Sequence, residues 1–210
     1  MLTNRDIDII RKIEDFKLLS SSQIQRLFNM NQPKVSKRMN IIVRDIKDIK
    51  CSRYNPTNNF YNDKYKPILK NENIYYWKRK PKAIMHDLLV NEVYLYLLDK
   101  YNIISFDKEY RISVDDEFVV RSDIYTVMEY KGKEYEFIFE IENNKSFNNY
   151  KYNKLIEQGY ICPPIVVISD RRVYNNRGIE IIKSKLNLSD LQNKLNRYML
   201  ESEFNYKVNY

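Results

Sequence analysis

Histidine is all but missing: His86 is the only one in 210 residues. Glycine is nearly as scarce, with three, and the two cysteines, Cys51 and Cys162, stand far apart with no Cys-x-x-Cys. These absences exclude a good deal of chemistry. Zinc fingers and ribbons need clustered Cys and His. A Ser-His-Asp triad would have only His86 to draw on, and no Gly-x-Ser-x-Gly elbow is present. Neither a Walker-type phosphate loop nor a Gly-x-Gly-x-x-Gly occurs. A relaxase metal site built on paired histidines is excluded for the same reason. Proline numbers only six, so collagen-like, linker-like and strongly disordered classes fall away. No apolar run approaches the ~18 residues of a membrane span. The opening Met1-Leu2-Thr3-Asn4-Arg5-Asp6 lacks the apolar core of a signal peptide. The expectation is a cytoplasmic protein with no membrane partner and reduced, structural cysteines.

What is present is enough to fold. The chain is 43% hydrophobic and 30% charged, which suits one large domain or two small ones. Its net charge of +8 is unevenly spread. Residues 1–85 carry 19 Lys and Arg against 8 Asp and Glu, a net +11. Residues 86–210 carry 17 against 20, a net −3. Such segregation points to an anion-binding module followed by a module with another task. Nucleic acid is the usual anionic partner of a basic domain.

The N-terminal part reads as a winged helix-turn-helix. Thr3 is a good N-cap, and Ile7, Ile10, Ile13 and Phe16 follow at roughly helical spacing. Ser20-Ser21-Ser22 can cap a second helix bearing Ile24, Leu27 and Phe28. Pro33 suits the first turn of a third. There Val35, Met39, Ile42 and Ile46 form one apolar stripe, leaving Gln32, Lys34, Ser36, Lys37, Arg38 and Asn40 outside. A recognition helix presents such N-terminal residues to base edges in the major groove. Two strand-like runs, Ile49–Tyr54 and Ile74–Trp77, flank a long basic loop and resemble a wing. Lys64, Lys66 and Lys70 of that loop are phosphate-contact candidates. The expected boundaries are 1–81 for this domain and 82–210 for the next.

The second part reads as α-β-β-β-α-β. A helix begins near Lys82, strand-like runs follow from Ile103 to Met128, and Lys131-Gly132 marks a hairpin. Tyr135–Glu142 alternates and then turns almost wholly apolar, as a central strand does. A helix over Ser146–Gln158, a buried strand over Pro164–Ser169 and a last helix over Ser189–Met199 complete the order. That order is the core of the restriction-endonuclease-like, PD-(D/E)XK-type fold, so the expected class is α+β. Asp123 and Glu140-Ile141-Glu142 fall where that fold keeps its acids. Asp123 and Glu140 would hold a metal, with Glu142 completing the catalytic set and Glu92 a fourth acid from the first helix. The sequence dictates no cofactor, but Mg²⁺ or Mn²⁺ suits such carboxylates and stabilises charge on a phosphodiester. Glu142 stands where the fold places a lysine, which argues against efficient cutting; Lys145, Lys151 and Lys154 are candidates to replace it.

Several short motifs occur in a telling order: Leu2-Thr3-Asn4-Arg5-Asp6, Leu19-Ser20-Ser21-Ser22-Gln23-Ile24, His86-Asp87-Leu88-Leu89-Val90-Asn91-Glu92, Arg121-Ser122-Asp123 and Phe139-Glu140-Ile141-Glu142. Together they resemble the replication-relaxation family of plasmids, conjugative elements and phages. The resemblance implies a winged-helix domain joined to a nuclease-like domain, acting in plasmid replication or in DNA relaxation for transfer. It implies double-stranded DNA as partner, and admits a relaxase, replication proteins or a second copy of the chain. Three functions stay open. The chain is a duplex-DNA-binding protein of a mobile element, a Mg²⁺-dependent endonuclease using Asp123 and Glu140, or a repressor whose C-terminal domain dimerises. His86 reads as structural, at the start of its helix.

Overall fold

The computed structural model describes residues 1–55, 71–114, 118–143, 145–174 and 179–208. They form a mixed α+β fold that divides into two compact units, Met1–Leu95 and Tyr96–Tyr210.

The first unit holds α1 (Asn4–Phe16), β1 (Leu18–Ser20), α2 (Ser21–Phe28), α3 (Gln32–Asp45), β2 (Ile49–Tyr54), β3 (Glu72–Trp77) and most of α4 (Ile84–Lys100). Local chemistry starts each of the first three helices. Thr3 and Asp6 form a capping box on α1, and Ser20 and Gln23 form another on α2. Asn31 caps α3, with Pro33 in its first turn. The three strands make an antiparallel sheet in the order β1-β3-β2. β1, three residues between two helices, carries no period that sequence reading detects.

The buried face of α1 differs from the expected one. Asp6, Ile9, Ile13 and Phe16 face inward, while Ile7 is 41% exposed. Ile9, Ile13 and Phe16 fall at i, i+4 and i+7 on the same side as Asp6, which pairs there with Arg38 of α3. On α3, Val35, Met39 and Ile42 are buried as expected, whereas Ile46 is the C-cap and only partly covered. Lys64, Lys66 and Lys70 lie outside the described residues.

The sequence pattern opens the second domain at residue 82, ahead of α4. The structure instead draws α4 into the first unit as far as Leu95. Leu88, Leu89, Val93 and Leu95 are buried, and side-chain amides fasten the helix. Asn91 Nδ2 donates to the Leu18 carbonyl at 2.7 Å, and Gln23 Nε2 donates to the Leu88 carbonyl at 3.0 Å.

The second unit is built on one sheet. Its elements are β4 (Asn102–Lys108), β5 (Arg111–Val114), β6 (Phe118–Arg121), β7 (Ile124–Tyr130), β8 (Lys133–Ile141), β9 (Phe147–Asn148), α5 (Tyr150–Glu157), β10 (Ile165–Ile168), β11 (Val173–Tyr174), β12 (Ile181–Ser184) and α6 (Leu191–Val208). The five-stranded sheet runs β12-β10-β8-β7-β4. β4, β7 and β8 are antiparallel; β8, β10 and β12 are parallel. A parallel neighbour needs a crossover, and α5 lies in the one between β8 and β10. Phe137–Ile141 and Ile165–Ile168 are buried throughout, as central strands covered on both faces must be. β5 and β6 pair as a separate hairpin rather than joining the sheet.

Glycine scarcity leaves its mark on the turns. Lys17, Asn29, Lys78, Glu109, Lys131 and Leu188 all hold left-handed φ values, between 48° and 64°. Lys131 and Gly132, at 53° and 76°, make the tight connection from β7 to β8. Among the described residues no helix is long and apolar enough to cross a membrane.

Candidate functional site

The α3 face sorts the residues proposed for DNA contact. Lys34 and Lys37 are exposed and make no ion pair among the described residues. Ser36 is partly buried, and Gln32 is exposed but accepts a hydrogen bond from Gln25 Nε2 of α2. Arg38 is engaged within the unit. Its guanidinium is turned inward on Asp6, with Nε donating to Oδ1 at 2.8 Å and Nη2 to Oδ2. Burial alone would raise the Asp6 pKa, but the bonds from Arg38 and Thr3 outweigh it and hold the carboxyl at about 2. Arg38 is thus a tie between α1 and α3.

Behind α2 lies a polar hub that no local pattern announces. Gln23 is fully buried; its Oε1 accepts from the Ser20 amide at 3.1 Å, and its Nε2 donates to Glu92 Oε1 at 2.9 Å. Arg26 Nη1 donates to the other Glu92 oxygen at 2.5 Å. Glu92, expected as a fourth acid of the nuclease-like site, is therefore bound within the first unit. Glu72 of β3 caps the start of α2 on its other side, accepting from the Ser22 amide at 2.5 Å and its hydroxyl at 2.6 Å. His86 lies partly buried in the first turn of α4.

In the second unit the acids gather at the carboxyl end of β8. Ile124 pairs with Phe139, so Asp123 falls beside Glu140. Asp123 Oδ2 accepts from the Ile141 amide at 2.7 Å. Glu140 is buried, and its Oε1 receives Lys151 Nζ at 2.6 Å and the Tyr152 hydroxyl, both from α5. Lys151 also donates to the Arg121 carbonyl at 2.7 Å. Burial and the Asp123 charge push Glu140 up to about 7, against the opposing pull of Lys151 and Tyr152. Burial, with Glu140 beside it, raises the Tyr152 hydroxyl well above its ordinary value.

Glu142 does not join this group. It sits past the strand end, where Lys145 Nζ lies 3.7 Å from its Oε1 and Ser169 Oγ donates to its carbonyl at 2.8 Å. The expected gathering of three carboxylates is accordingly two carboxylates and a lysine. Among the described residues no group of three or more His, Cys, Asp and Glu side chains is placed to hold a metal. Of the three lysines that the sequence offers for the missing positive charge, the one that reaches Glu140 is Lys151. Tyr152, its neighbour, escapes sequence reasoning; an aromatic at the start of a helix reads as core, and this one is core apart from its hydroxyl.

No family model matches the chain, and a comparison with curated proteins gives no match. Among solved structures the chain is similar to the crystal structure of protein VC1899 from Vibrio cholerae, at 12% identity and a TM-score of 0.38. That similarity covers 94% of this chain and 57% of the other, so the chain spans little more than half the length of that protein.

Proposed function

We propose that this protein binds duplex DNA through its first unit, a winged helix-turn-helix with α3 as recognition helix and β2 and β3 as the wing strands. The observation that carries this reading is the α3 face. Val35, Met39 and Ile42 point inward while Lys34 and Lys37 stand exposed on the first half of the helix. They do so within a segment of net charge +11. The motif resemblance to the replication-relaxation family supports a site near an origin of replication or transfer on a mobile element. The test is duplex binding by the full chain and by a Lys34→Ala/Lys37→Ala variant across a salt series. Each phosphate that is no longer neutralised lowers the log–log salt slope by about 0.9. Unchanged affinity and slope in the variant would sink the recognition-helix assignment. Mapping bound sites in cells separates an origin from a promoter, and so this reading from a repressor.

A second reading, a restriction-endonuclease-like nuclease centre, is favoured by Lys151 at 2.6 Å from Glu140. The β4-β7-β8-α5-β10 order and the Asp123–Glu140 pairing support it. The donor set fits a hard divalent cation in kind, two carboxylates on adjoining strands. Asp123 and Glu140 would hold Mg²⁺ or Mn²⁺, and the ion would stabilise charge developing on a phosphodiester. Lys151 brings a lysine to the acids from α5, the residue type that Glu142 replaces along the strand. Nicking of supercoiled DNA that disappears in Asp123→Ala, Glu140→Ala and Lys151→Ala alike is the expected outcome on this reading. No cutting with either ion leaves the domain to architecture.

A further inference from the structure

We infer that the second unit carries a binding surface for single-stranded nucleic acid, at the carboxyl ends of β8 and β10. In α/β sheets the loops at the carboxyl ends of the strands are where ligands are commonly held. Here the chain leaving β8 and the chain leaving β10 are tied together by the short parallel pair β9 and β11, with Asn148 opposite Tyr174. Alternation then sorts the side chains. Phe147 and Val173 pack into the core, so Asn148 and Tyr174 face outward together. Tyr150, two residues after Asn148, opens α5. Tyr150 and Tyr174 are 62% and 52% exposed, a costly placement for rings that could have been buried.

Cations flank these strands in the chain. Lys145, Arg171 and Arg172 are exposed, and neither arginine makes an ion pair among the described residues. Lys154 Nζ lies 5.7 Å from the Tyr150 ring centre. Exposed aromatics set among cations are the elements with which proteins hold unpaired strands: bases stack on the rings and phosphates meet the charges. A duplex offers no free base face, so the rings select a single strand. This surface is independent of α3 and does not require the centre at Glu140 to cut.

The experiment measures binding of labelled dT20 and rU20, and of a duplex of equal length, to the full chain by fluorescence anisotropy. Tyr150→Ala/Tyr174→Ala should weaken single-strand binding about 30-fold, about fivefold for each stacked base, and leave duplex affinity unchanged. Tyr150→Phe/Tyr174→Phe should restore it, because stacking needs the ring and not the hydroxyl. Arg171→Ala/Arg172→Ala should flatten the single-strand salt dependence, by about 0.7 for each phosphate left without its cation. Lys34→Ala/Lys37→Ala should do the converse of the tyrosine variant, losing duplex and keeping dT20. Single-strand binding as tight in the tyrosine double variant as in the wild type would overturn the inference. So would single-strand binding that disappears together with duplex binding in the lysine variant alone.

Discussion

Asp6 shows how one carboxylate can do three jobs. It closes a capping box, accepts a guanidinium and joins the buried face of α1 to α3. Its pKa of about 2 gives a pH dependence of known sign. A carboxyl held below its unfolded value adds stability above that value, near pH 4, and loses it as pH falls toward 2. Asp6→Asn should therefore be less stable than the wild type at pH 7, by about 1.5–3 kcal/mol for a charged hydrogen-bonded pair. The gap should close between about pH 4 and pH 2 in urea titrations. At this scale the sequence is legible where chemistry is local. Thr3, Ser20 and Pro33 act on backbone within a turn, and their roles follow from residue type. The pairing of Arg38 with Asp6 is not legible from sequence because the partner lies 32 positions away, and nothing in an amphipathic helix distinguishes a cation that pairs inward from one that faces water.

Among the elements, α4 is the instructive one. Its helical character is plain from the sequence, but its partners are not. The run from His86 to Glu92 contains two residues, Asn91 and Glu92, whose polar groups are buried against β1 and α2. Such a motif can owe its form to fastening helices rather than to chemistry. Gln23→Ala tests this, since it strips the Ser20 amide, the Leu88 carbonyl and Glu92 of a shared buried partner. A loss of about 2–3 kcal/mol in unfolding free energy is expected. Equal stability would mean that water replaces the amide. In the second unit, β8 and β10 are legible from their apolar runs. β9 and β11 are not, because two-residue strands owe their existence to neighbours rather than to a period, and β12 is not, because it lacks the continuous apolar run of β10. The sequence offers three lysines for the acidic centre without choosing among them; the choice falls to α5, whose packing on β8 brings Lys151 to Glu140.

For the molecule as a whole, the charge division near residue 85 and the packing division at Leu95 differ by most of α4. Charge marks where a surface changes partner; packing marks where a core ends. A fragment of residues 1–95 should fold cooperatively and keep duplex binding, whereas 1–81 should lose its fold. Without α4, Gln23 and the Leu18 carbonyl lose their buried partners and the apolar side chains beneath them are uncovered. Circular dichroism melts of the two fragments decide the matter, and a cooperative melt from 1–81 would refute it.

The left-handed lysines have a practical side. Lys17 ends α1 and Lys131 opens the β7–β8 turn, both at a positive φ that is unfavourable for a residue with a side chain. Neither position needs lysine for its backbone bonds. Lys17→Gly supplies the residue that helix ends favour, and Lys131→Asn makes the Asn-Gly pair that this hairpin turn prefers. Combined, they should raise the melting temperature by about 3–6 °C, measured by calorimetry. For an engineer needing a sturdier preparation, a shortage of glycine is an inventory of untried improvements.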